Sequence, residues 1–244
     1  KSAGILLWRS MLQWMGGAGI VIVAITILPM LHIGGMQLFT TESSAANERD
    51  LPTVAQNMRA ILLYFIALTL SCSVCLKLAG MTGFDSINHA LTTVSTGGFS
   101  THDSSIGYYH SENIEWVISF FMFISSLPLL LGLYLIKHNW KQIRQDVQIL
   151  FYLKFLMVSI FLLSLLRWIQ DHFSIYGLNT YLRESTFAII SVVTTTGFVS
   201  DNYQYWGNFS LAFFMFLLML SFFVPQNKIS RARQITRRKV YNIR

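Results

Sequence analysis

Charge is what this chain has least of: only 12% of its 244 residues are Asp, Glu, Lys or Arg. A soluble domain carries about a quarter, so a water-facing globule could not be covered and that class is excluded. Cysteine is almost missing as well. Cys72 and Cys75 lie inside the apolar run ILLYFIALTLSCSVCLKLAG, one helical turn apart, where they read as small buried residues and not as a redox or zinc pair. The sequence has no HExxH, no GxSxG and no paired carboxylates within its apolar runs, so neither an enzyme nor a cofactor is expected. The leading apolar stretch also lacks the basic n-region, short apolar core and A-x-A site of a signal peptide.

Apolar residues are what the chain does have, at 53% with a mean hydropathy of +0.50. Runs such as MLQWMGGAGIVIVAITILPMLHIGG and FFMFISSLPLLLGLYLI approach the ~20 residues that cross a bilayer core. An all-α integral membrane protein is expected, with five spans at roughly 10–31, 60–79, 115–136, 149–170 and 207–224.

Two polar stretches interrupt this pattern. HALTTVSTGGFST (89–101) and IISVVTTTGFVS (189–200) both carry a hydroxyl run into a Thr-Gly step. Thr96-Gly97 and Thr196-Gly197 lie about one hundred positions apart, and such long-period similarity points to a repeated unit. Each stretch follows a segment too polar to span and suited to a short helix, TGFDSINHALTT with Thr82 and Asp85 as a capping box, and TYLRESTFAIISVV. The unit reads as helix, half-helix, hydroxyl-and-glycine loop, helix. It occurs twice, after a lone helix that would close an earlier copy.

Basic residues orient the chain. Arg49, Arg59, Lys137, Lys141, Arg144 and Lys154 fall on one side, joined by Lys228, Arg231, Arg233, Arg237, Arg238, Lys239 and Arg244 of the tail. The other side has Lys1, Arg9, Lys77, Arg167 and Arg183 against Asp85, Asp103, Glu112, Glu115, Asp171, Glu184 and Asp201. Lys/Arg excess marks the cytoplasm, so the loops open outward under a net acidic face that concentrates cations. The net charge of +7 is then a cytoplasmic face whose partner is anionic lipid, with no nucleic acid implied.

Irregular backbone at membrane depth is tolerated only where it is buried in protein or lines a water-filled path. Glycine lets successive carbonyls turn to one side, and rings of carbonyls can replace the water around a monovalent cation. A half-helix aims its negative carbonyl end at the same point. A phosphate loop is excluded, because GxxxxGK[ST] and its lysine are missing.

With these residues in view, the chain resembles the bacterial Trk-type potassium uptake proteins, TrkH and TrkG, related to KtrB and the plant HKT transporters. The match runs through LLWRSMLQWMGGAGIVIVAITILPMLHIGGMQLF, TTVSTGGFSTHDSSIGYY and VVTTTGFVSDNY. The resemblance implies four membrane–pore–membrane repeats around one pore, each with a re-entrant half-helix and a filter loop. By position it assigns the filter to Val94, Ser95, Thr96, Gly97 and Gly98, and to Thr194, Thr195, Thr196, Gly197 and Phe198. Gly97 and Gly197 would be the hinges, and the carbonyls of Ser95, Thr96, Thr195 and Thr196 the potassium ligands. It further implies a bacterial inner-membrane location, a homodimer and a cytosolic nucleotide-binding regulatory subunit.

The repeats divide as 1–58 (closing helix of the first), 59–140 (second), 141–225 (third) and 226–244 (a basic tail unlike the family). The fourth repeat and the start of the first are not in the sequence, which begins at Lys1, and a partial chain that does not conduct alone is expected. Sodium selectivity, sodium coupling or a non-functional remnant remain open beside potassium uptake. Among single residues, His89, His102 and His110 read as interfacial or solvated. Arg9, Trp8, Trp116, Trp168 and Trp206 read as interface anchors. Asp103 and Asp201 could attract cations or hold the loops, and Gly16, Gly17 and Gly19 read as helix-packing positions.

Overall fold

The structure is a computed structural model that describes residues 2–30, 54–127, 147–170 and 177–223. Seven α-helices occur there and no strand among the described residues: α1 (Ala3–Met30), α2 (Val54–Leu78), α3 (Gly83–Val94), α4 (Glu112–Ser126), α5 (Val147–Gln170), α6 (Leu178–Val193) and α7 (Gly207–Phe223). Short 3-10 turns at Ser105–Tyr109 and Tyr203–Trp206 precede α4 and α7. The stretches Arg59–Leu78 and Phe151–Gln170 are long and apolar enough to cross a membrane, and Phe209–Met219 is a shorter apolar stretch. Most of the basic residues used above to orient the chain, and the tail after Val224, lie outside the described residues.

Local chemistry sets the boundaries. α2 ends in a Schellman arrangement, with Met81 N–H donating to Leu76 O and Gly80 N–H to Lys77 O, and Gly80 takes φ +111. Two residues later Thr82 caps α3: its hydroxyl accepts from Asp85 N–H at 3.2 Å and donates to Asp85 Oδ2 at 2.8 Å. This is the expected box in a modified form, since the Asp85 carboxylate returns to the Thr82 hydroxyl and not to its N–H. α4 ends at Ser126, where Leu127 is extended ahead of Pro128 and a residue before proline avoids the helical region; the rest of the span expected to 136 lies outside the described residues.

The order long helix, shorter helix, loop, helix occurs twice, as α2–α3–α4 (25, 12 and 15 residues) and α5–α6–α7 (24, 16 and 17 residues). Each short middle helix is packed by three others: α3 by α1, α2 and α4, and α6 by α4, α5 and α7. The flanking helices turn Leu63, Leu70, Val74, Met157, Phe161, Met215 and Met219 outward, all more than half exposed. The short helices bury Asn88, His89, Thr92, Thr93, Ser185 and Ser191 almost completely. These polar groups are buried beside an apolar core that includes Ala90, Val94, Phe187 and Ile189 of the same helices, and the large apolar side chains left outside suit a lipid surround.

Ion pairs tie the two units together. Arg183 on α6 pairs with Glu112 and, at 3.1 Å, with Glu115, both on α4. Arg167 on α5 pairs with Glu184, and its guanidinium lies 3.8 Å from the Trp206 ring centroid. The Arg183 and Glu115 side chains are 14% and 9% exposed, so neither charge can fall back on water. Removing one partner of such a pair costs about 3–5 kcal/mol. Arg183→Gln is therefore expected to lower the thermal unfolding midpoint in detergent sharply. Glu112→Gln, at a side chain 61% exposed, is expected to shift stability by no more than about 0.5 kcal/mol.

Candidate functional site

The two loops that leave α3 and α6 share one hydrogen-bond pattern. In the first, Thr92 O accepts from Gly97 N–H at 2.8 Å and Gly98 N–H at 3.3 Å, while Thr96 N–H reaches Thr93 O. The Thr92 hydroxyl crosses the loop to donate to Phe99 O at 2.8 Å. In the second, Ser191 O accepts from Thr196 N–H at 3.0 Å and Gly197 N–H at 3.2 Å, and Thr195 N–H reaches Val192 O. The Ser191 hydroxyl donates to Phe198 O at 2.7 Å.

Backbone angles repeat in the same register. Thr96 and Thr195 have φ +52 and +57, and Gly98 and Gly197 have φ +66 and +83, a constant offset of 99 residues (96 to 195, 98 to 197). A β-branched residue at positive φ is a genuine outlier, and strain of about 1–3 kcal/mol persists only where surroundings over-determine it. Its occurrence at matching places marks a built feature.

This register corrects the pairing expected from the sequence. Gly197 matches Gly98 and not Gly97; Gly97 does not take positive φ and stands where the second loop has Thr196. The dipeptide Thr-Gly aligned the loops one residue out, because Gly97-Gly98 offers two glycines and only the local geometry says which one turns. The proposed filter residues also divide. Val94 is the last residue of α3 and Ser95 and Thr194 are helix caps. Phe198 is buried to 1% with its carbonyl already engaged by Ser191, which makes it the loop's anchor. Thr194 O accepts from the Thr195 hydroxyl at 2.7 Å. Among the described residues, no donor engages the carbonyls of Ser95, Thr96, Gly97 and Gly98, nor those of Thr195, Thr196 and Gly197.

The loops touch. A Cβ on Gly98 would run into the Thr196 carbonyl oxygen, so glycine is required there by contact as well as by angle. Just beyond, Val199 is held at both ends by the preceding 3-10 turn. Its carbonyl accepts from Ile106 N–H at 3.0 Å and Gly107 N–H at 3.2 Å, and its N–H donates to Ser105 Oγ at 3.2 Å. An open cavity of about 410 Å³ lies over both loops, lined by Arg9, Gly98, Phe99, His102, Asp103 and Gly197 among others.

Behind the first loop sits a polar cluster around His89, a residue expected from the sequence to be interfacial or solvated. His89 is fully buried. Its Nδ1 lies 2.8 Å from Asp85 O and its Nε2 2.9 Å from Ser100 Oγ. A carbonyl only accepts, so Nδ1 carries the proton and Nε2 accepts from the Ser100 hydroxyl. Burial, the largest influence, holds the His89 pKa below its ordinary value and keeps the ring neutral. Asp85 accepts from Thr101 Oγ1 at 2.6 Å as well as from Thr82. Burial pushes its carboxyl up, but hydrogen bonds from Thr101 and Thr82, with His102 nearby, outweigh it and bring the pKa below the ordinary value.

Other single-residue expectations sort themselves. Trp206 is buried, not interfacial, and donates from Nε1 to Asp201 Oδ2 at 2.8 Å, so Asp201 holds the second loop's exit. Asp103 is exposed on the cavity rim, while Trp8 and Trp116 are exposed as expected. Cys72 and Cys75 are free thiols, the first buried. Of the three glycines, Gly17 packs closely, its Cβ position lying 3.0 Å from Ser95 Cβ, whereas Gly16 and Gly19 face open space. Arg9 is no interface anchor: its Nη2 donates to Ser100 O at 2.7 Å.

Two measurements check this geometry. Gly197→Ala meets no neighbour and is expected to cost about 1–2 kcal/mol of left-handed strain. Gly98→Ala adds the clash with Thr196 and is expected to cost clearly more in the same unfolding assay. A carboxyl whose pKa is lowered on folding stabilises above its ordinary pKa and loses that contribution as pH falls. The unfolding midpoint is therefore expected to drop below about pH 4, and Asp85→Asn to flatten that drop.

Comparison with known proteins agrees with the sequence and the fold. The family described as "Cation transport protein" (TrkH) matches residues 1–244. The Trk system potassium uptake protein TrkI of Halomonas elongata is 36% identical over 217 residues, 88% of this chain and 43% of that protein. TrkH of Escherichia coli is 35% identical over 205 residues, 83% of this chain and 42% of that protein. The crystal structure of the potassium transporter TrkH from Vibrio parahaemolyticus matches with a TM-score of 0.73 at 30% identity, covering 92% of this chain and 44% of that one. The chain thus spans less than half the length of these relatives, which are transporters and not enzymes. It belongs to the TrkH family of cation transport proteins.

Proposed function

We propose that this chain contributes two quarters of a carbonyl-lined filter for potassium uptake across the bacterial inner membrane. In this reading α2–α3–α4 and α5–α6–α7 are membrane–pore–membrane repeats within 59–140 and 141–225, α3 and α6 are re-entrant half-helices, and α1 closes an earlier repeat. The observation that carries it is the repeated loop: matched φ values 99 residues apart (96 to 195, 98 to 197), beside backbone carbonyls that no donor engages among the described residues. Of the residues that carry these carbonyls, Ser95 and Thr196 are buried and Thr195 and Gly197 are exposed, and carbonyls that no donor engages are free to act as the ligands a dehydrated monovalent cation needs. Ser95, Thr96, Gly97 and Gly98 with Thr195, Thr196 and Gly197 are the proposed ligand set. The short helices point their C-terminal ends at it, adding partial negative charge.

The names of the relatives, all potassium uptake proteins, favour potassium over sodium as the cargo. The sequence resemblance adds a homodimer and a cytosolic nucleotide-binding regulatory subunit to this reading, and the distribution of basic residues supports loops that face outward. Two quarter-filters do not close a ring, so the chain is proposed to conduct only with the remaining quarters supplied. The test is a chimera in which this chain replaces the matching portion of the Escherichia coli relative. Rubidium uptake into proteoliposomes is expected, little inhibited by equal sodium and lost in Gly98→Ala. Uptake of sodium in preference would establish the sodium reading. Potassium-dependent growth of a transport-deficient strain carrying this chain alone would overturn the need for other segments.

A further inference from the structure

We infer that one face of α1 is a brace that positions the first loop, with Arg9 and Gln13 as its positioning residues. Arg9, Gln13 and Gly17 are spaced by four, so they lie on one face of α1. Arg9 donates from Nη2 to Ser100 O at 2.7 Å, and its guanidinium lies 4.6 Å from the Phe99 ring centroid. The Gln13 side chain fills the space that a Cβ on Gly97 would occupy. Gly17 brings the helix backbone against Ser95, where its own Cβ would stand 3.0 Å from Ser95 Cβ. The contacts run antiparallel, as the helix ascends 9, 13, 17 while the loop descends 100, 97, 95. Eight helical residues rise about 12 Å, and five loop residues span at most about 17 Å extended, so the two tracks are commensurate.

The second loop shows what the brace is for. Ser100 and Val199 are equivalent in the 99-residue register set by the positive-φ residues (96 to 195, 98 to 197). Both carbonyls are captured by a group from the preceding unit. At Val199 the donors are the backbone amides of Ile106 and Gly107; at Ser100 the donor is the Arg9 guanidinium. Each capture follows a carbonyl at 99 or 198 already engaged by a hydroxyl. Together they turn the exit strand away from the open oxygens and fix where the row of free carbonyls stops. The tie is made of backbone in the second loop. In the first it rests on one side chain, so only there can a single substitution remove it.

The positioning claim stands on the contacts alone; only its ion-dependent arm rests on the proposed cation filter. Amide hydrogen exchange is measured on the 244-residue chain in detergent for peptides covering 95–101 and 194–200. Losing a hydrogen bond to a charged donor is expected to speed exchange across 95–101 in Arg9→Met by about tenfold or more, with 194–200 unchanged within about twofold. Arg9→Lys, which keeps the charge and one donor, is expected to restore most of the protection, and Gln13→Ala to loosen 95–98 more than 99–101. Equal acceleration of both loops, or none in either, would overturn the brace. If Arg9→Met unfolds the whole chain, Gln13→Ala decides: faster exchange in 95–98 with 194–200 unchanged supports the brace, and equal or no acceleration in the two loops overturns it. Run in potassium and again in sodium on the chimera that supplies the remaining quarters, the unsubstituted protein should be better protected in potassium, and Arg9→Met should lose that preference in the first loop only. A chimera indifferent to the ion would sink the cation reading while the contrast between loops still judges the brace.

Discussion

The structure depends on one constraint: a chain that leaves the helix among apolar neighbours must still satisfy its backbone. Thr92 and Ser191 meet it, each with two groups. The carbonyl of each takes two N–H groups returning from the loop, and the hydroxyl reaches across to the carbonyl of Phe99 or Phe198. A single residue with a hydroxyl, two residues before the helix ends, therefore closes the loop from inside. At Thr92, valine would fill the same volume and leave the Phe99 carbonyl unmatched. What stays open between those bonds is a short row of oxygens, and the proposed cation site consists of that row.

Around this local closure the helices supply enclosure. Three helices pack on the middle helix of each unit, and the helix that ends one unit packs on the middle helix of the next. That shared helix explains why ionised groups can be buried here. Arg183 is held between Glu112 and Glu115 of α4, so the attraction acts across the joint between units. Buried ion pairs are weak as net stabilisers but strongly penalise misalignment. α1 plays the corresponding part for α3, with Arg9 on the loop and the Trp14 indole N–H donating to Thr69 Oγ1 at 3.0 Å on α2.

Much of this was legible beforehand, and for identifiable reasons. Spans follow from apolar runs because a bilayer demands length and hydropathy, which are properties of a segment by itself. Thr82 and Asp85 could be read as a cap since capping is chemistry within four residues. The doubled loop was visible from composition, because hydroxyl and glycine clusters rarely fall between apolar spans. The failures share a cause too. His89, Arg9 and Trp206 stand at interface-like positions along the chain, and their roles are settled by packing: His89 by Ser100 eleven residues on, Arg9 by Ser100 across 91 residues, and Trp206 by Asp201 and by Arg167 of α5.

The sequence alone determined the helical membrane character, the doubled hydroxyl-and-glycine loop and the family resemblance, since each rests on local composition, spacing or motif. Tertiary structure alone decided that Gly98 and not Gly97 turns the first loop, that Gly98 must admit the Thr196 carbonyl, and that Arg9 faces the loop and not the interface. The physical reason is that two adjacent glycines are alike to every local rule. Only the positions of Gln13, Thr196 and Thr92, brought together by packing, assign them different work.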